Sequence, residues 1–172
     1  MRLEVGEPLT RLQSELEALL RRRLVREPLV VGIHTGGAWI AQWLHRSLDL
    51  EGPLGTLDIS FYRDDFSRIG LNPSVRPSQL PPGIDGRHVV LVDDVIHTGR
   101  TVRAALNELF DFGRPASVIL AVLIDRGGRE LPIQPDAVGA RVELPRGGEI
   151  KLTGPEPLGL EILATATPTD RG

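Results

Sequence analysis

The sequence predicts an α/β protein built on a central, mainly parallel sheet flanked by helices, and three observations carry that prediction. Two apolar runs, Leu29 to Ile33 and His88 to Val92, each lead through a Thr/Gly-bearing turn into a helix-like segment. A further strand-like run, Ala116 to Ile124, follows the second of those helices. Short runs this uniformly apolar read as strands buried on both faces, the situation of a parallel sheet with helices on either side. At 172 residues the chain is the size of one domain with one full core.

From Leu9 to Leu24 the leucines at 9, 12, 16, 19, 20 and 24 follow helical spacing. Glu15 and Glu17 lie early in this segment and Arg21, Arg22 and Arg23 late, the favourable sense for the helix dipole, so the arginine run reads as a solvated helix end. Leu29 to Ile33 is a strand, His34-Thr35-Gly36-Gly37 a turn, and Ala38 to Ser47 a helix. Leu54 to Phe61 is a strand candidate. The polar, Pro-bearing stretch from Tyr62 to Gly86 is too long for a routine connection, and such loops are functional or disordered. His88 to Val92 is the strongest strand and runs into Asp93-Asp94. The turn His97-Thr98-Gly99 opens a helix from Arg100 to Phe112, with Gly113 placed as its cap and Pro115 as the stop beyond. After Asp125 come short segments at Ala137 to Leu144, Glu149 to Thr153 and Leu158 to Ala164, and a frayed end from Thr165.

Composition narrows the function. Hydrophobic residues make up 41% and aromatics only 4%, so the core is mostly Leu, Val, Ile and Ala. A net charge of −3 removes the bulk signal of a nucleic-acid binder and leaves only a local basic face. With no cysteine there are no disulfides, thiol nucleophiles or Cys-ligated metals. No apolar run approaches the roughly 20 residues of a membrane span, and the start, Met1-Arg2-Leu3-Glu4, lacks a signal-peptide apolar region. A cytoplasmic location is expected. Lys151 is the single lysine among 20 Lys and Arg; heat adaptation and GC-rich coding explain that equally well.

The decisive segment is Val89 to Thr101. An apolar strand provides a rigid base, and two adjacent carboxylates leave its end, where like charges are unfavourable unless something binds them. A Thr/Gly turn then meets a helix N-terminus, whose free N–H groups and positive dipole end suit phosphate. A ligand answering all three parts has vicinal hydroxyls about one sugar away from a phosphate, which describes a ribose 5-phosphate. His-Thr-Gly occurs twice, at 34–36 and 97–99, each time between strand and helix, and two phosphate-binding turns would suit a substrate phosphorylated at both ends. P-loop, G-x-G-x-x-G, H-E-x-x-H and G-x-S-x-G patterns are absent.

Val89 to Thr101 resembles the signature for phosphoribosyl pyrophosphate (PRPP) of the type I phosphoribosyltransferases. Thr56-Leu57-Asp58-Ile59-Ser60-Phe61-Tyr62-Arg63-Asp64-Asp65, Gly99 to Ala105 and Leu123 to Pro132 resemble one branch of that superfamily. This branch is the PyrR family of bifunctional pyrimidine operon regulators and uracil phosphoribosyltransferases. The resemblance covers Leu29 to about Gly139. It implies a type I phosphoribosyltransferase fold in a single domain, 1–172, whose small hood comes mainly from residues after 125 with the N-terminal segment. It implies Mg2+-dependent conversion of uracil and PRPP to UMP and pyrophosphate, UMP-dependent binding to a pyr mRNA leader, and a homodimer or homotetramer.

By the same resemblance, Asp93 and Asp94 hold the ribose hydroxyls, the turn Thr98, Gly99, Arg100 and Thr101 cradles the 5-phosphate, and Val95, Ile96 and His97 join them in binding PRPP or nucleotide. His34, Thr35, Gly36 and Gly37 hold the pyrophosphate, with magnesium carried mainly by PRPP. The candidate catalytic residues are Asp94, as a general base, and Arg63, as a phosphate contact from the long loop. Asp125, Arg126, Val138 and Gly139 are the base-binding candidates, and Arg129 and Arg141 the RNA-binding ones. The sequence also departs from the family. Thr35-Gly36-Gly37 stands where these regulators carry Thr-Arg-Gly, Leu12 and Leu16 where their first helix is polar and basic, and Ala140 where they have a basic residue. Purine relatives share the Gly-Gly turn. A hypoxanthine or guanine phosphoribosyltransferase, and an RNA-binding regulator with little turnover, therefore stay open beside the uracil enzyme.

Overall fold

The computed structural model describes residues 1–59 and 78–164. Among these, the chain runs β1 (Arg2–Leu3), α1 (Gly6–Arg22), β2 (Leu29–Ile33), α2 (Gly36–Ser47), β3 (Leu54–Leu57) and β4 (His88–Ile96). It continues through α3 (Arg100–Phe112), β5 (Ser117–Asp125), β6 (Ala137–Arg141), β7 (Glu149–Thr153) and β8 (Gly159–Leu163). Five strands form a parallel sheet in the order β3-β2-β4-β5-β6.

The near-continuous apolar strands follow from burial on both faces. On β4, Val90 and Val92 point to one side with α1 and α2, while Val89 and Leu91 point to the other with α3. Five leucines of α1, at 9, 12, 16, 19 and 20, pack against β5 and β6. Each buried leucine contributes roughly 1.5–3 kcal/mol. Leu12 and Leu16 are fully buried, so they are core positions and belong to no RNA-facing surface.

Of the boundaries that differ from the sequence reading, α2 starts at Gly36 where Ala38 is expected and β6 stops at Arg141, short of Leu144. α1 ends at Arg22, and Leu24 turns outward at φ 56° with 82% exposure while Val25 takes the buried place. β3 stops at Leu57, short of the expected Phe61; the part of the long polar stretch that reaches residue 77, Arg63 included, lies outside the described residues. β4 does not end before its acids: it continues to Ile96, because β5 runs alongside and pairs Asp93 with Val122 and Ile96 with Asp125.

A second sheet, antiparallel in the order β1-β8-β7, joins the two ends of the chain. The Met1 amino group donates to the Ile162 carbonyl at 3.1 Å, and Arg2 pairs with Glu161 at 3.3 Å. Ile150, Leu152 and Leu160 of this sheet enter the same core as α1 and α2.

Candidate active site at the strand ends

In the five-stranded sheet, β2 is followed by α2 on one face and β3 on one side. Its neighbour β4 is followed by α3 on the opposite face and by β5 on the other side. The connections diverge between β2 and β4, and such a divergence opens a crevice beyond the carboxyl ends of the strands where ligands bind. Both His-Thr-Gly turns lie there, the first leaving β2 and the second leaving β4.

The acids sit beside this crevice. Asp93 is buried at 4% exposure and its Oδ1 accepts the Asp94 amide at 2.9 Å; Asp94 Oδ1 accepts the Val95 amide at 2.8 Å. The Asp94 carboxylate lies directly over Gly36, so any side chain at 36 would collide with it. Gly37 is equally constrained, since a Cβ there would come within 2.5 Å of the Val92 carbonyl. Gly37 is therefore demanded by the approach of the β4 backbone to the first turn, whereas a side chain at 36 has to displace the Asp94 carboxylate, and neither constraint is visible in the sequence alone.

The second turn is held from the other side. Gly99 has φ 93° and precedes the first residue of α3, and Thr98 Oγ1 accepts the Arg100 amide at 3.2 Å. Segment 127–133, which follows β5, fastens onto it. Glu130 and Leu131 donate their amides to the Thr98 carbonyl at 2.9 and 3.2 Å, and Arg100 pairs with Glu130 at 2.8 Å. The His97 ring donates to the Gly127 carbonyl at 2.8 Å. The N-terminus of α3, with Thr101 in its first turn, thus opens into the crevice from a braced turn.

At the end of β5, Asp125 is 8% exposed and accepts from Gly127 and Arg129, each at 2.9 Å. Burial raises its pKa, yet the Arg129 hydrogen bond, the Gly127 amide and the charges of Arg129 and Arg141 outweigh it, and it titrates below its ordinary 3.8. Arg126 reaches the β6–β7 connection, donating to the Gly148 carbonyl at 2.9 Å, and its buried Nε has no hydrogen-bond partner among the described residues. That contact brings Gly148 to the site, a residue that sequence reasoning misses because only the fold places it there.

Two expectations are redrawn. Val138 and Gly139 lie inside β6, below its end at Arg141. The Val138 amide is held by Glu15 at 2.9 Å and its side chain is buried in the core beside α3, while Gly139 packs tightly between the Leu123 carbonyl of β5 and the Pro8 carbonyl of α1. Arg129, expected on an RNA face, is turned inward with a 13% exposed side chain bound to acceptors of its own chain. Arg141 is exposed. Among the described residues, no group of three or more His, Cys, Asp or Glu is placed to hold a metal, and no helix is long and apolar enough to cross a membrane.

A phosphoribosyltransferase is the class this fold and crevice define: the phosphoribosyl transferase domain family matches residues 14–143. Solved structures agree on the fold. A hypoxanthine-guanine phosphoribosyltransferase from Bacillus anthracis superposes with a TM-score of 0.66 at 18% identity over 83% of each chain. A hypoxanthine phosphoribosyltransferase from Trypanosoma cruzi gives 0.64 at 25% identity, covering 83% of this chain and 81% of that one. Within the class, the chain belongs to the PyrR family. It is 61% identical to the bifunctional protein PyrR of Pseudomonas paraeruginosa over 91% of this chain and 92% of that one. It is 55% identical to that of Pseudomonas syringae pv. tomato over 94% and 95%.

Proposed function

We propose that the crevice between β2 and β4 transfers phosphoribose from PRPP to uracil, giving UMP and pyrophosphate. The observation that carries this reading is the acid pair Asp93-Asp94 set between two phosphate-suited turns at a topological switch point. The turn His97–Thr101 takes the 5-phosphate, Asp93 and Asp94 the ribose hydroxyls, and His34–Gly37 the pyrophosphate. Two adjacent carboxylates offer hard oxygen donors that fit Mg2+ when phosphate oxygens and water complete its shell, as that ion prefers. Bound in that way, the ion would neutralise charge on the departing pyrophosphate.

The reaction forms the bond from the uracil ring nitrogen to C1 of the ribose and breaks the bond from C1 to the pyrophosphate oxygen. Backbone donors of the turns stabilise charge as it develops, so no side chain acts as nucleophile. Asp94 is the candidate to take the ring-nitrogen proton. Arg63 is the candidate phosphate contact from the long loop. On the base side, the half-buried Arg126 and the Gly148 connection it holds are the candidate groups to line the base pocket; Asp125 stands behind them as an anion.

A PRPP- and Mg2+-dependent assay offering uracil, hypoxanthine, guanine and adenine in parallel tests the reading. Uracil turnover is expected. Turnover of a purine alone would keep the fold and overturn the base assignment, and binding of UMP without turnover would favour a nucleotide-sensing regulator. The relatives' name is bifunctional, which favours a second role as a UMP-dependent binder of a pyr mRNA leader in the cytoplasm. With Arg129 engaged, that role would draw on the exposed Arg141 and Arg146. Changing both to Glu is expected to remove leader RNA binding and spare uracil turnover; RNA binding that survives would exclude that face.

A further inference from the structure

Arg129 sits between the two halves of the proposed site, and the role inferred for it rests on reading His97–Thr101 as the cradle of the 5-phosphate. Its Nε donates to the Ile133 carbonyl at 2.8 Å and its Nη1 to the His97 carbonyl at 2.9 Å. Its Nη2 donates to Asp125 Oδ2 at 2.9 Å and to Gln134 Oε1 at 3.2 Å. A guanidinium has five N–H donors in a rigid planar fork, so these bonds occupy nearly all of them. Meeting RNA would require abandoning acceptors that are largely shielded from water.

We infer that Arg129 is a positioning residue that holds the phosphate turn in register with the base side of the crevice. Segment 127–133 is also tied to the turn at Thr98, Arg100 and the His97 ring. The β4–β5 ladder already sets Ile96 beside Asp125, with the Arg126 amide on the Ile96 carbonyl at 3.1 Å, and Arg129 extends that tie beyond the strand ends, from the His97 carbonyl to the Asp125 carboxylate. The same β5 end leads into Arg126, the residue offered to the base. Beyond the strand ends, where the ladder stops, one planar group therefore holds the place where the 5-phosphate rests against the place where the base rests.

This assignment separates ligands by length. UMP reaches both places, whereas ribose 5-phosphate reaches only the turn and the acids. In Arg129→Gln the backbone ties at Thr98 remain, so ribose 5-phosphate is expected to lose only about three- to tenfold in affinity, the worth of one hydrogen bond. UMP, whose two ends must fit together, loses in addition a hydrogen bond to a charged group on the base side and is expected to weaken about 100-fold in all. Arg129→Lys keeps the charge beside Asp125 but cannot span the acceptors. It is expected to recover thermal stability without recovering UMP affinity, and it carries the test if the Gln variant does not fold.

Titration calorimetry of UMP and of ribose 5-phosphate on the wild type and both variants is the experiment. Equal losses for the two ligands, no loss for either, or full recovery of UMP binding by Lys would each overturn the inference. Failure of the wild type to bind ribose 5-phosphate or UMP at all would instead overturn the site reading beneath it.

Discussion

The two His-Thr-Gly turns carry the same three residues at the same station, between a parallel strand and a helix, yet the fold supports them in opposite ways. The turn at 34–36 is shaped from beneath. Gly36 and Gly37 lie tight against β4, Asp94 fills the space above Gly36, and the Thr35 side chain makes no capping bond. The turn at 97–99 is braced from outside, by Thr98 within it and by segment 127–133 across it. A tripeptide suited to anions thus becomes, in one place, a floor whose form depends on a neighbouring acid. In the other it becomes a fixed cradle. That difference matches what each would hold: a pyrophosphate that must leave, and a 5-phosphate that stays.

Replacing Asp93 and Asp94 together by Asn tests what the turns share. Charge-assisted hydrogen bonds are worth about 1.5–3 kcal/mol each, so PRPP affinity is expected to fall by at least about 100-fold in calorimetry. Unchanged affinity would dissolve the comparison, because neither turn would then flank the site. Gly36→Ala and Gly99→Ala should separate the turns. Alanine at 36 drives into Asp94 and is expected to weaken PRPP binding about tenfold, the effect of displacing one hydrogen-bonded group. Alanine at 99 has room but inherits φ 93°, and is expected to lower stability by about 1–2 kcal/mol in chemical denaturation. The reverse pattern would mean that the supports have been assigned to the wrong turns.

A smaller effect is expected from the threonines. Thr98→Val removes the acceptor for the Arg100 amide and should cost about 1 kcal/mol, whereas Thr35→Val should stay within about 0.5 kcal/mol in thermal melts. Adding Thr101→Val to the first should weaken UMP binding further. Asp125 gives the finest test, through pH. Its folded pKa is depressed, so the stability it contributes is fully present above the ordinary 3.8 and fades as pH falls through the lower folded value. The stability gap between wild type and Asp125→Asn should be flat from about pH 5 to 8 and narrow below about pH 4; a gap that narrows near neutrality would contradict that sign.

Much of the fold is legible in the residues because it depends on local period and order. The leucine spacing of α1, the apolar β2 and β4 and the Arg100–Phe112 helix all follow from short-range pattern, and they place both turns and both acids. Features that depend on distant partners are hidden. Asp93 looks like a strand end until β5 is seen pairing with it. Arg129 looks like a surface charge because arginine usually is one, and only the meeting of His97, Asp125 and Ile133 around it reveals an internal role. Val138 and Gly139 carry no sign in the sequence that Glu15 and Pro8 of α1 will cover them.

The seam between β1 and β8 has a consequence for how the chain is made. The five-stranded sheet is complete once Arg141 has emerged, but Arg2 must wait for Glu161 and Leu3 for Leu160. Contacts so far apart in sequence close late, because chain entropy must be overcome before they contribute. During synthesis the strand ends that carry both turns and both acids can therefore be assembled while β1 still lacks its partner. The second sheet shuts only when β8 has emerged, joining residues 159 positions apart in sequence.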